Sequence, residues 1–252
     1  MNASTWFRFA GLSALLSGCS LLGQAGLNIG YSFDPQEFKQ SIGQEGGPTN
    51  TLPTIACTPG ASPDPCAAAQ STLPPQAMSS CDSASSACVA QVIVRLPQQI
   101  DLRQAMTPVP SQAVEFGIGA VAIDKVNYWA ASNTLNVATP PIDVYVAAAT
   151  AKDETDATAV KLGSIASLPA KSRACGDPQD PHDAATQQGN TVCSMPITSA
   201  GQAALSQFIK NYKTSPFQLI VRATLVARGG TPIPAGTIDV FVRPSVTLSI
   251  LK

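Results

Sequence analysis

Seven cysteines and one histidine are the side chains with the most chemical reach in this chain. Cys19 stands apart near the start, behind an apolar run. The other six are Cys57, Cys66, Cys81, Cys88, Cys175 and Cys193. An even set of this kind suits disulfides formed in an oxidising compartment. Six cysteines allow about 15 connectivities, so spacing alone leaves the pairing open. The first four share one stretch rich in Pro, Ser and Ala, and are expected to pair among themselves. Cys175 is then left for Cys193 across a polar loop, a closure that stabilises by about 3 kcal/mol in the chain-entropy model. No C-x₂-C spacing occurs, and zinc sites usually carry one. The cysteines therefore read as structural rather than metal-binding.

His182 lies in Asp177-Pro178-Gln179-Asp180-Pro181-His182-Asp183. A Ser-His-Asp hydrolase would have to use it. No G-x-S-x-G elbow accompanies it, and the flanking prolines suit a solvated loop. The chain reads as non-enzymatic, with no cofactor: no phosphate loop, nucleotide motif or haem motif is present. Asp177, Asp180 and Asp183, with a second group at Asp153, Glu154 and Asp156, come nearest to a cation site, since calcium takes about 6–8 oxygen ligands from loops. Their spacing is not that of an EF-hand loop. Solvated turns are the plainer reading, and no metal is expected.

Cys19 closes a short pattern. Arg8 is the only charged side chain before it, Phe9 to Leu16 is apolar, and Leu16-Ser17-Gly18-Cys19 follow. An apolar run of about 7–15 residues suits a secretory signal; spanning a bilayer takes about 20. The four residues resemble the lipobox of bacterial lipoprotein signal peptides, L-[AS]-[GA]-C. The resemblance covers only the residues up to Cys19 of a chain of 252. It implies a diacylglyceryl group on the Cys19 thiol and cleavage just before it, with residues 1–18 as signal peptide and 19–26 as a lipidated tether. Each buried CH₂ of the acyl chains adds about 0.8 kcal/mol of anchoring. Ser20, rather than Asp, follows the cysteine, which in Gram-negative relatives of the pattern favours the outer membrane.

The composition agrees with export. Lys and Arg number 15 against 16 Asp and Glu, for a net charge of −1. No basic surplus points to nucleic acid, and no Lys/Arg cluster to an anionic membrane surface. Charged residues make up 12%, about half the usual ~25%.

The elements that must position these residues read as strands. Leu27, Ile29, Tyr31 and Phe33 alternate with small or polar residues. Val89 to Leu96 is a β-branched run. Val114, Phe116, Ile118 and Ala120 alternate, and the pattern resumes out of phase at Ile123, Val126 and Tyr128, which suggests a bulge. Ile142, Val144 and Val146 form another strand and Leu162 to Leu168 a short one. Leu219, Val221, Ala223 and Leu225 follow. Ile238, Val240 and Val242, then Val246, Leu248 and Ile250, read as two strands parted by Pro244 at an edge or corner. Tyr128 and Trp129 are neighbours, so one faces the core and the other outward; an outward Trp129 could stack on a sugar, a buried one fills the space between layers. One helix, about 199–212, is capped by Thr198 or Ser199 and carries Ala203, Leu205, Phe208, Ile209 and Tyr212 as its apolar stripe. It is expected to pack across an open end or face of the sheets. Residues 42–88 lack periodicity and read as a long Pro/Ser/Cys-rich insertion.

Seven or eight strands with one late helix and no βαβ alternation predict a mainly β fold, an antiparallel β-sandwich, as a single domain over 27–252. The expected role is a non-enzymatic binding or structural module, held on a membrane through Cys19 and directed to another envelope protein or a glycan. Three other roles predict different structures. A carrier of an apolar ligand needs a void under the helix, near Leu205 and Phe208. A calcium-dependent adhesion module needs its acidic loops side by side. A hydrolase needs a serine and a carboxylate at His182.

Overall fold

The computed structural model describes residues 27–43, 50–71, 73–100, 102, 118–173, 175, 193–211 and 213–250. Cys19, Val114, Phe116, Asp177, Asp180, His182 and Asp183 lie outside the described residues, as does the 19–26 tether.

Ten strands and two helices are present among the described residues. In chain order they are β1 (Leu27–Ser32), β2 (Gln36–Ile42), α1 (Ala67–Gln70), β3 (Ala77–Asp82), β4 (Ala87–Ile100), β5 (Ile118–Asn133), β6 (Ile142–Ala148), β7 (Val160–Ile165), β8 (Cys193–Ser194), α2 (Ser199–Lys210), β9 (Phe217–Arg228) and β10 (Gly236–Ile250). They form two antiparallel sheets. The first runs β1-β10-β5-β8, with β2 also on β10; the second runs β3-β4-β9-β6-β7. Val126, Tyr128, Val240, Val242, Val246 and Leu248 of the first meet Val92, Val94, Val144, Leu219, Val221 and Leu225 of the second in one buried core. The fold is a β-sandwich.

The long strands form because their apolar residues alternate, as a half-buried sheet requires. In β9 the alternation puts Leu219, Val221, Ala223 and Leu225 into the main core. The phase change in β5 is physical. Ile123 pairs with Val246 and Lys125 with Ser245, so Asp124 is an extra residue in the ladder. Its carboxylate accepts a hydrogen bond from the Thr247 hydroxyl at 3.0 Å. Two further register shifts leave Gly119 and Ala131 unopposed.

Three features differ from the sequence expectation. The strands on either side of Pro244 are one continuous strand, β10. Pro244 is tolerated because β10 pairs with β1 up to Ser245 and with β2 only from Val242 back. The proline carbonyl accepts from Phe33 N–H at 3.0 Å, so its ring nitrogen faces the same gap between β1 and β2, where no ladder bond is lost. The 42–88 stretch is not wholly an insertion, since β3 within it is the edge strand of the second sheet. Finally, Ala203 is exposed, and the buried face of α2 is Gly201, Leu205 and Ile209, with Ala204 and Phe208 half-buried beside them.

Helix α2 closes the side of the sandwich where the sheets part, packing on β5 of one and on β6 and β7 of the other. Its cap, Thr198, does two jobs. The Oγ1 accepts from Gly201 N–H at 2.9 Å and donates to Lys161 O at 2.6 Å. The first turn thereby seals an exposed strand edge of β7, helped by a backbone bridge between Gly163 and Ile197. The approach is close enough to demand glycine twice. A Cβ on Gly201 would sit 2.5 Å from Leu162 Cα, and one on Gly163 would sit 2.2 Å from Pro196 O. Gly201→Ala is expected to destabilise the fold by about 1–3 kcal/mol through overpacking. Ala203→Gln, on the open side of the same helix, should stay within about 0.5 kcal/mol of wild type. Urea-denaturation midpoints of the two variants check the contrast.

Candidate functional site

Among the described residues, the chemistry-bearing side chains gather at two places on the second sheet, with the Cys175–Cys193 disulfide apart at β8 of the first. The first is the cysteine cluster. Cys57 is bonded to Cys81 and Cys66 to Cys88, while Cys175 is bonded to Cys193. Cys81 and Cys88 are direct partners across the β3–β4 ladder. Each is nevertheless tied to the preceding segment, so the two bonds lie side by side. Backbone bonds hold the same segment: Cys57 N–H to Ser86 O at 3.0 Å and Cys88 N–H to Ile55 O at 2.9 Å. The sulfurs of Cys57, Cys66 and Cys88 lie within 4.8 Å of one another. All three are in disulfides, so none is a thiolate able to ligate a metal.

The segments around the cluster cover what β4 and β9 would otherwise expose. Leu52 and Ala69 pack on Ala90, Ala227 and Ile233 as a small second core. Gln70 completes the job at the edge of β3: its Oε1 accepts from Ser79 N–H and its Nε2 donates to Ala77 O, both at 2.8 Å. One amide side chain thus imitates a neighbouring strand, which blunts an edge open to unwanted pairing.

The second place is the loop from β6 to β7. It folds back onto the outer face of its own sheet, where Ala151 packs on Ala147 and Ile220. Gln218 Nε2 donates to Ala151 O at 2.6 Å. Glu154 pins the loop. Its Oε2 accepts from Arg95 Nε at 2.8 Å, and its Oε1 lies 3.0 Å from Arg222 Nε, an ionic contact off the hydrogen-bond line. Arg95 and Arg222 are cross-strand partners on β4 and β9, and Asp143 of β6 pairs with Arg222 in turn. Lys161 Nζ completes the row at 2.7 Å from Asp143. The Arg95 hydrogen bond, opposed by burial, holds the Glu154 carboxyl below its ordinary value.

This geometry argues against a cation in that loop. Both Glu154 oxygens face guanidinium groups. Asp153 and Asp156 each bond the hydroxyl and N–H two residues on, at Thr155 and Thr158. These are self-closed Asx turns, and Asp153, Glu154 and Asp156 work as a structural staple.

Trp129 is no sugar platform. It takes the opposite side of β5 from Tyr128, yet is only 3% exposed and stacks on Phe241 with centroids 5.3 Å apart. The two voids between described residues near the core and helix are too small for an apolar ligand. The void bounded by Leu205, Phe217, Leu219 and Ile100 holds about 10 Å³, and the one between Phe38, Val94, Val221 and Val240 about 20 Å³. Each is the size of a single water, whereas ligand pockets run to about 300–1,000 Å³.

What remains open is a strip on the outer face of β3, β4 and β9. Met78 is 58% and Val226 46% exposed, the two large apolar side chains left out among the described residues. Both are register partners of Gln91, which lies between them. Asp82 and Arg228 form an ion pair at one end of the strip, 3.4 Å apart, and the Arg95–Glu154 contact stands at the other. Sequence reasoning missed this strip, because Met78 sits in a segment with no periodicity and Val226 at the outward step of an otherwise inward alternation.

The fold is that of an antiparallel β-sandwich with disulfide-pinned loops. The chain matches no family model, no curated protein and no solved structure.

Glu154→Gln is expected to cost about 1–2 kcal/mol at neutral pH, a figure reduced for solvent screening because Arg95 is 38% exposed. Because the folded carboxyl is held low, its contribution is fully present above the unfolded value of about 4.3. It is lost as pH falls through the lower folded value. The gap between wild type and variant should therefore be constant from pH 7 to 5 and close progressively below about pH 4. Unfolding curves across that range test it; a gap independent of pH down to full protonation would remove the ionic account.

Proposed function

We propose that the chain is a lipid-anchored envelope protein whose sandwich is a binding or structural module rather than an enzyme. Its anchor is acylated Cys19, its membrane the outer membrane, and its partner another envelope protein or a glycan. The observation that carries the binding reading is the contrast, among the described residues, between a core with water-sized voids and an apolar strip left open at Met78 and Val226. A carrier would keep its apolar surface inside, around a cavity. A module that docks a partner keeps it outside, on a rigid face, rimmed by charges that favour one register.

Three further observations support an exported, tethered protein. The Leu16-Ser17-Gly18-Cys19 pattern resembles a lipobox. Six of the seven cysteines are joined in disulfides, which persist in oxidising compartments. The first strand begins at Leu27, so residues 20–26 reach about 20–25 Å from the anchor when extended. The sandwich would then ride close to the lipid headgroups, with short freedom to search for a partner.

Cys19→Ala, expressed with the rest of the chain intact, tests the anchor. Wild type is expected in the membrane fraction, with a mature mass that starts at Cys19 and includes acyl chains. The variant is expected in the soluble fraction. A variant that remains wholly membrane-bound, or a wild-type chain without acyl mass, ends the lipoprotein reading.

A further inference from the structure

We propose that the four-cysteine cluster is a thiol-catalysed disulfide-exchange site with two covalent connectivities, and that a small monothiol switches it between them. Three observations carry this. Cys81 is half-buried, whereas Cys57, Cys66 and Cys88 are buried, so Cys81 is the cysteine of the cluster nearest to solvent. The sulfurs of Cys57, Cys66 and Cys88 lie within 4.8 Å of one another, although Cys57 is not bonded to either of the others. Cys81 and Cys88 are direct cross-strand partners, although they too are not bonded. The Cys57 sulfur therefore lies beside the Cys66–Cys88 bond, and Cys81 sits opposite Cys88 in the ladder.

The exchange balances without net electron transfer. A monothiolate attacks Cys81 Sγ; the bond to Cys57 breaks, a mixed disulfide forms on Cys81, and Cys57 leaves as a thiolate. The Cys57 thiolate attacks Cys66 Sγ, forming Cys57–Cys66 and releasing Cys88 as a thiolate. Cys88 attacks Cys81 Sγ across the ladder, forming Cys81–Cys88 and returning the monothiolate. Two disulfides are present at the start and two at the end, and the monothiol is a catalyst.

The consequence lies in what the bonds connect. In the structure both disulfides tie the 57–66 segment to strands β3 and β4. After exchange, one bond closes 57–66 on itself and the other closes the β3–β4 hairpin on itself. No covalent link then holds the segment over the Leu52–Ala69 core or Gln70 against the edge of β3. What holds it then is noncovalent: the backbone bonds at Leu52, Cys57 and Cys88, the packing of the small core and the Gln70 amide. The site is a latch whose release leaves the sandwich itself intact.

The test uses the wild-type chain and disulfide mapping. Cysteamine is added at millimolar concentration near pH 8 without oxygen, the reaction is quenched with acid, and unreduced digests are sequenced by mass spectrometry. Peptides joined through Cys57–Cys66 and Cys81–Cys88 are expected to appear, with Cys175–Cys193 unchanged and no rise in free thiol. Capping of Cys81 or plain reduction, with Cys66 still joined only to Cys88, overturns the proposal. Cys57→Ser gives a second reading without added thiol. Its Cys81 thiol is expected to displace Cys66 from Cys88, so alkylation marks Cys66. Alkylation at Cys81 alone overturns the relay.

Discussion

The backbone pairing of β10 is the constraint on which the rest of the structure depends. This strand gathers β1 and β2 along one side and β5 along the other, so most of the first sheet is defined by its ladder. A central strand must satisfy its N–H and C=O groups on both sides. It does so even at Pro244, because the missing donor falls where the chain passes from β1 to β2. The inward face of β10 then fixes the core, since Val240, Val242, Val246 and Leu248 must meet the second sheet. The three register shifts in β5 are the accommodation this demands: a long strand stays in phase with a twisted partner by inserting single residues.

A sandwich leaves edges and ends to be sealed, and this chain seals them with side chains as much as with strands. Thr198 and the glycines around it close β7. Gln70 closes β3. Asn133 donates to Pro169 O and Ser172 O and accepts from Leu135 N–H, holding the chain that runs past the end of β5. Each device is a polar group with its partners in place, so burial carries no unpaired cost. The low charge content of the chain fits this economy of small polar residues: Ser, Thr, Asn and Gln bond backbone at close range, where Lys and Glu would need to reach water.

The legible part of the fold was the part governed by alternation. β1, β6, β9 and both halves of β10 carry apolar residues at every second position, β4 holds a β-branched run, and the change of phase between Ala120 and Ile123 is flanked by register shifts at Gly119 and Asp124. The illegible part was governed by contacts outside the strand itself. In β2 the inward row is Gln36, Phe38, Gln40 and Ile42, so half of it is polar and the pattern dissolves. In β3 the inward residues are Ala77, Ser79 and Cys81, while Met78 points out, the reverse of an ordinary strand. What holds β3 is a pair of disulfides and the Gln70 amide, which no periodicity records. The acidic group at 153–156 was visible as a cluster, but its purpose depended on Arg95 and Arg222, more than fifty residues away on either side. Sequence distance hid the staple.

Those long-range ties bear on the docking face proposed above. A docking face must be stiff, since a flexible one loses affinity to the ordering of its own side chains. The second sheet is tied down twice, by the loop clamped through Glu154 on its outer face at one end and by the cysteine cluster on its inner face at the other. Met78, Gln91 and Val226 lie between these clamps on three adjacent strands of a continuous ladder. Their positions are set by backbone hydrogen bonds rather than by a loop. The apolar strip therefore sits on a continuous backbone ladder, while the segment that closes the β3 edge is held in part by disulfides that thiols can reduce.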